Sequence, residues 1–236
     1  MSFKDLKIKF MSPLKGHINE PKPSLLHIPK VYKDLAAQIK TIRTVKRCVP
    51  FLDALSSGYI IPFPVDILYH YDEEKKACNF LIHENISTEF HSLIGVTDHG
   101  PSQTTTNMRS NKRTIDAVFK FLNPWIIKTP PGYSCLFLSP LNHNLPFELI
   151  SGVVDTDLYE SQVHLPFYWT APYLEEKLLK CGTPMVMVIP FKRESWKMKL
   201  EVSNMNDLET NKKGLSYFKE RFDNYKNKTW QKKSYK

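Results

Sequence analysis

From residue 58 onward the apolar residues gather in runs of about four to eight, each bounded by Pro, Gly or a cluster of charges. That is the pattern of short β-strands joined by stiff corners. Residues 58–64 and 65–71 read as strand, corner, strand. The all-charged stretch 72–76 is a turn, and 77–82 returns as the second arm of a hairpin. Residues 88–95 are a further candidate strand, and 115–121 lead into a corner at Asn123-Pro124-Trp125. Residues 97–113 are polar and aperiodic and read as a long loop, a class that often carries function inside a compact domain. Between Trp125 and Glu194 the pattern repeats three times, each strand entered through a Pro/Gly turn. These strands begin after Thr129-Pro130-Pro131-Gly132, at Gly152-Val153-Val154, and after Cys181-Gly182-Thr183-Pro184. Residues 191–200 alternate apolar and charged side chains, as an exposed strand does.

The two ends of the chain follow other rules. Residues 3–10 alternate as a half-exposed strand, and 13–29, rich in Pro and Lys, form an extended arm. Leu35, Ile39, Ile42 and Val45 fall at helical spacing with Lys40, Arg43 and Lys46 opposite, which predicts one amphipathic helix from about residue 31 to Arg47. Pro50 opens a helical turn closed by Ser56-Ser57-Gly58. Near the C-terminus Leu215, Phe218, Phe222 and Tyr225 lie on one helical stripe, a face that needs burial on a subunit or partner. The expected organisation is an N-terminal strand and arm over 1–30, a β domain with its leading helix over 31–200, and a basic helix and tail over 201–236.

Composition narrows this picture. With 42% hydrophobic and 24% charged residues, the 236-residue chain can bury a sizeable core and is not a disordered polymer. Seventeen Pro against eight Gly favour short strands with stiff corners, so the expected class is mostly β, a barrel or compact sandwich. The net charge of +9 suits an anionic partner, yet residues 209–236 hold nine Lys/Arg against three Asp/Glu, so most of the excess sits in the tail. In that tail, lysines interleave with Tyr225, Trp230 and Tyr235. Residues 226–236 therefore admit contact with single-stranded nucleic acid through charge and stacking, beside docking on a partner or a merely solvated face. The four cysteines form no CxxC pair. Residues 1–10 lack a signal-peptide core, and no run reaches the roughly 18 apolar residues that span a bilayer. The expectation is a soluble, non-secreted, non-membrane protein with free thiols, Cys135 and Cys181 being buried strand residues.

Pro130-Pro131-Gly132-Tyr133, Gly152-Val153-Val154-Asp155-Thr156-Asp157 and Gly182-Thr183-Pro184-Met185-Val186-Met187 occur in that order. Together they resemble the motifs of the trimeric dUTPase and dCTP deaminase superfamily, the β-clip fold, over about residues 125–194. The resemblance implies a dUTPase-like barrel and a homotrimer. In an active member, Asp155 would orient and deprotonate the water that attacks a nucleotide α-phosphate, with Mg²⁺ screening the phosphates. Asp157, Gly152, Tyr133 and Tyr159 would line the nucleotide site. This sequence departs from the pattern. The position of an aromatic under the sugar holds Leu158, with Tyr159 one residue late, and a one-residue slip turns a strand side chain to the other face. Ser139-Pro140-Leu141-Asn142-His143 stands where the family keeps an Arg-Ser-Gly phosphate contact. Met187 replaces a Gln, and Gly214 is the only glycine after Gly182, so a Gly-rich phosphate-closing arm is absent. The wording of the chain, including Pro50-Phe51-Leu52-Asp53-Ala54, also looks like proteins encoded by tailed phages. That implies a place in an infected cell or a virion.

Three function classes follow. The first is a diverged, non-catalytic binding or assembly module. The second is a Mg²⁺-dependent deoxynucleotide pyrophosphatase or nucleotide binder using Asp155. The third is a non-haem iron oxygenase, in which His70 and Asp72 with His91 or His99 would form a facial triad. Asp155 and Asp157 equally fit a purely structural role, capping a turn. His99 and Gln103, in the polar loop, are candidate ligand contacts, and an exposed turn is the plainer reading of both.

Overall fold

The computed structural model describes residues 6–40, 42–82, 90, 92–99, 117–206, 209 and 225–236. The chain divides into two compact units. One comprises Met1–Pro29, Leu55–Arg193 and Tyr235–Lys236, the other Lys30–Ala54 and Glu194–Ser234. Strands β1 (Lys9–Met11) and β2 (Lys22–Pro23) open the larger unit. The smaller unit then holds α1 (Lys30–Asp34), β3 (Gln38–Ile39), β4 (Ile42–Arg43) and most of α2 (Val49–Ser56). The larger unit continues with β5 (Tyr59–Pro62), β6 (Ile67–Asp72), β7 (Ala77–Ile82), β8 (Gly95–His99), β9 (Val118–Leu122) and β10 (Ile126–Lys128). There follow β11 (Tyr133–Leu138), β12 (Phe147–Leu149), β13 (Gly152–Val154), β14 (Leu165–Trp169), β15 (Lys177–Leu179) and β16 (Pro184–Lys192). The protein is mostly β, as the sequence pattern requires.

Within the larger unit the strands make antiparallel sheets ordered β13-β11-β16-β5-β2, β12-β14-β9-β8, β15-β6-β7 and β1-β10. The first three share one core. Its centre is aromatic: Phe121 and Phe167 stack with centroids 3.8 Å apart and planes 9° apart, and Tyr69 stacks on Trp169 at 4.1 Å. Strand β16 lies between β11 and β5, so its Val186-Met187-Val188 run is buried throughout rather than alternating. The corner after β9 is pinned by the buried Asn123. Its Oδ1 accepts from the Trp125 N–H at 3.1 Å and its Nδ2 donates to the carbonyls of Trp125 and Val163. Gly58 is required where α2 gives way to β5: its φ is +64°, and a Cβ there would stand 2.1 Å from the Val188 carbonyl oxygen.

Several expectations fail locally. The helix predicted for residues 31–47 is α1 followed by a β3–β4 hairpin and a 3-10 turn, Val45–Arg47. Lys40 takes φ +52° in the hairpin turn, and Thr44 accepts from the Lys46 N–H and donates its hydroxyl to the Ala36 carbonyl. Side-chain bonds to the backbone compete with the helix at β-branched positions that favour it little. Residues 92–94 belong to a turn, so the strand expected over 88–95 begins only at Gly95, and residues 83–89 lie outside the described residues. His99 is the last residue of β8, opposite Val118, and not part of a loop. Cys135 is a buried strand residue, whereas Cys181 is half-buried in the turn before β16. The strand expected over 191–200 ends at Lys192, and residues 193–200 have no regular structure. Gln103, His91 and the apolar stripe Leu215, Phe218 and Phe222 lie outside the described residues.

Candidate functional site

The acid motif sits where three parts of the larger unit meet: the Pro-Pro-Gly turn before β11, the turn after β13 and the end of β16. The register Tyr133↔Lys192 brings Arg193 beside the first turn, and the Arg193 N–H donates to the Gly132 carbonyl at 2.8 Å. Gly132 has φ +84°, which lets the turn reverse and aims its own N–H at Asp157 Oδ2, 2.8 Å away. Asp157 then receives the guanidinium of Arg193 in a fork, Nη1 to Oδ1 at 2.7 Å and Nη2 to Oδ2. Its side chain is only 5% exposed. The Arg193 hydrogen bonds, more than the opposing burial, hold its carboxyl well below the usual carboxylate range, with the Gly132 N–H adding to the effect.

Asp155 is placed differently. Its side chain is 56% exposed, the buried Ser134 hydroxyl donates to Oδ1 at 2.6 Å, and Arg193 Nη1 lies 3.2 Å from the same oxygen. The Asp155 carbonyl closes the turn by accepting from the N–H groups of Leu158 and Tyr159. Between the acids, buried Thr156 locks the two turns together. Its hydroxyl meets that of Thr129 at 2.8 Å and reaches Cys135 Sγ at 3.3 Å. Burial pushes the Cys135 thiol up to about 11, so it is no thiolate nucleophile.

Of the residues expected at a nucleotide site, Tyr133, Asp155 and Asp157 come together here, Tyr133 through its carbonyl, which accepts from Arg193. Gly152 lies on β13 with open space where a Cβ would go. Tyr159 is 44% exposed, and its hydroxyl reaches only the nearby Gln162 carbonyl. The residues that sequence reasoning missed are Ser134 and Arg193. Arg193 carries no local signal, because its role comes from a strand pairing with residues 60 positions away.

A cleft of about 1250 Å³ opens elsewhere on the unit, lined by Ser139-Pro140-Leu141-Asn142-His143 on one side and Lys177–Leu179 and Lys180 on another. Neither acid lines it. Residues 139–143 thus line a cleft whose lining holds no Arg. Met187 is fully buried opposite Leu138 and has no access to it.

The facial-triad residues are engaged separately. His70 Nδ1 lies 3.0 Å from Glu176 Oε1, and Asp72 accepts from the Lys75 N–H at 3.0 Å to cap the hairpin turn. Among the described residues, no three His, Cys, Asp or Glu side chains are grouped to hold a metal. The tail's aromatics are partly spoken for. Trp230 Nε1 donates to the Asp53 carboxylate at 2.9 Å, Lys233 pairs with the same group, and Tyr235 packs edge-on against Tyr59. Among the described residues, no helix is long and apolar enough to cross a membrane. No protein-family model matches the chain, and no curated protein does either.

Proposed function

We propose that this chain is a diverged dUTPase-like β-clip protein of tailed-phage type that works as a non-catalytic binding or assembly module, as a homotrimer in an infected cell or virion. The observation that carries this reading is the internal use of the acid motif. Arg193 and the Gly132 N–H occupy both oxygens of Asp157, and Ser134 and Arg193 hold Asp155, while the cleft is lined by neither. A carboxylate engaged by a fork and a backbone N–H serves as a structural clamp. The departures at Ser139-Pro140-Leu141-Asn142-His143 and Met187 support the same reading, since fold alone does not carry an activity.

A second reading rests on one specific observation. Asp155 remains 56% exposed and is oriented by Ser134, as a group that positions a water over a nucleotide phosphate with Mg²⁺ would be. A deoxynucleotide triphosphate panel with Mg²⁺, assayed for pyrophosphate release with wild type and Asp155→Ala, decides between them. No release from either protein is expected. Release by wild type that disappears in Asp155→Ala would establish the second reading.

A further inference from the structure

Positive charge and exposed apolar surface both gather in the smaller unit. Residues 30–54 and 194–234 hold 16 Lys/Arg against 8 Asp/Glu, so +8 of the net +9 belongs to this unit and the larger one is nearly neutral. Among the described residues, eight large apolar side chains are at least 66% exposed, and all but Leu158 lie in the same unit. Single exposed apolar residues are ordinary, whereas a concentration of them among cations marks a contact surface.

The β3–β4 hairpin shows how the two features are combined. Ile39 and Ile42 stand opposite each other, so their side chains share one face of the hairpin beside its turn, where they are 52% and 71% exposed. The hairpin is held in shape by the Thr44 N–H, which donates to the Ala37 carbonyl, and by Gln38 Nε2, which donates to the Lys40 carbonyl at 2.7 Å. Just beyond β4, Lys46 Nζ donates to the carbonyls of Tyr32 and Lys33 and so ties the hairpin to α1, where Val31 is 79% exposed. Lys30, Lys33 and Lys40 are exposed, and their ammonium groups have no ion-pair partner among the described residues. Asp34 is the single acid between residues 30 and 47, against six Lys/Arg. Two further acids of the unit, Asp53 and Glu201, are already held by Lys233 and Lys199.

An anionic lipid surface matches both features. Aliphatic side chains enter the boundary between headgroups and acyl chains, while lysines meet the anionic headgroups. Nucleic acid would match the charge alone, because its bases stack on flat aromatic rings. Among the seven most exposed apolar side chains described in the unit, only Trp196 is a ring, and Trp230 is already held by Asp53. We propose that the smaller unit adsorbs to an anionic lipid surface, with the Ile39–Ile42 tip entering the interface and Lys30, Lys33 and Lys40 meeting the headgroups. Adsorption of this kind needs no spanning segment, and it narrows the expectation of a non-membrane protein to the lack of one. The contact uses no residue of the acid motif and is independent of the assembly reading.

Co-sedimentation of the full chain with vesicles tests this, using phosphatidylcholine alone and phosphatidylcholine with phosphatidylserine in equal parts. Binding to the mixed vesicles is expected, at least about tenfold tighter than to the neutral ones and weakened by added salt. Lys30→Gln with Lys33→Gln and Lys40→Gln should weaken it about 100-fold and remove most of the preference for the anionic lipid. Ile39→Thr with Ile42→Thr should weaken it about tenfold and leave the salt dependence as it was. Ile39→Trp should bind at least as tightly as wild type, since indole favours the interface, and this keeps the test decisive if a loss variant misfolds. No binding to the mixed vesicles, equal binding to both kinds, or wild-type binding by the Thr and Gln variants overturns the proposal. So does capture of a single-stranded oligonucleotide at the same salt without any capture by vesicles.

Discussion

Asp157 is almost fully enclosed, yet it stays ionised, because Arg193 and the Gly132 N–H together replace the water it lost. Its ionised form is favoured in the folded state, so the direction of its pH effect follows. A carboxyl with a lowered folded pKa adds stability that is present in full above the unfolded value, about 3.9, and lost as pH falls toward the folded value. Asp157→Asn should therefore melt below wild type at neutral pH, and the gap should close progressively below about pH 4. Melting curves of both proteins from pH 2 to 7 check this, and a gap independent of pH would show that the clamp works by shape alone. Arg193→Lys keeps the charge but not the planar fork. It should lower the melting temperature nearly as far as Arg193→Met, measured side by side at neutral pH.

At the scale of elements, two glycines carry opposite expectations. Gly58 has φ +64° and no room for a Cβ beside the Val188 carbonyl, so Gly58→Ala should destabilise by about 2 kcal/mol or more. Gly152, the glycine of the acid motif itself, has open space at its Cβ and lies within a strand. Gly152→Ala should therefore stay within about 0.5 kcal/mol of wild type in urea unfolding. If Gly152→Ala instead unfolds early, the β13 backbone has a constraint that its geometry does not reveal. The contrast also marks what could be read from sequence. Strands β5 to β7, β11, β13 and β16 lie between Pro, Gly or charged turns whose signals are local, and they appear close to where the pattern put them, whereas β10, β12, β14 and β15 are not picked out by it. The span 31–47 misled because four apolar residues happened to fall at helical spacing, while Thr44 and the left-handed Lys40 built a hairpin instead. Asp155 and Asp157 were legible as a pair. Their partners were not, since Ser134 and Arg193 acquire roles only through the β11–β16 register.

Across the whole molecule, the smaller unit is made of segments from distant parts of the chain, so its integrity depends on contacts of very long sequence separation. Asp53 on α2 is the clearest of these. Its carboxylate accepts from Trp230 Nε1 at 2.9 and 3.2 Å and pairs with Lys233, 180 residues away. Charge-assisted bonds of this kind are among the stronger ones available to a surface group, and α2 continues from a base that is itself tied down. Tyr32 stacks on Phe51 at 5.5 Å, and Lys46 Nζ donates to the carbonyls of Tyr32 and Lys33. Trp230 and Lys233 thus hold the end of their segment to the unit through one carboxylate. Asp53→Ala removes both while leaving the α2 backbone intact. Hydrogen exchange followed by mass spectrometry should show peptides covering 225–234 losing protection in this variant, with the slow amides of β11 and β16 unchanged. Indole emission should shift to the red as Trp230 meets water. Unchanged exchange over 225–234 would mean that the tail is held by its packing and not by Asp53.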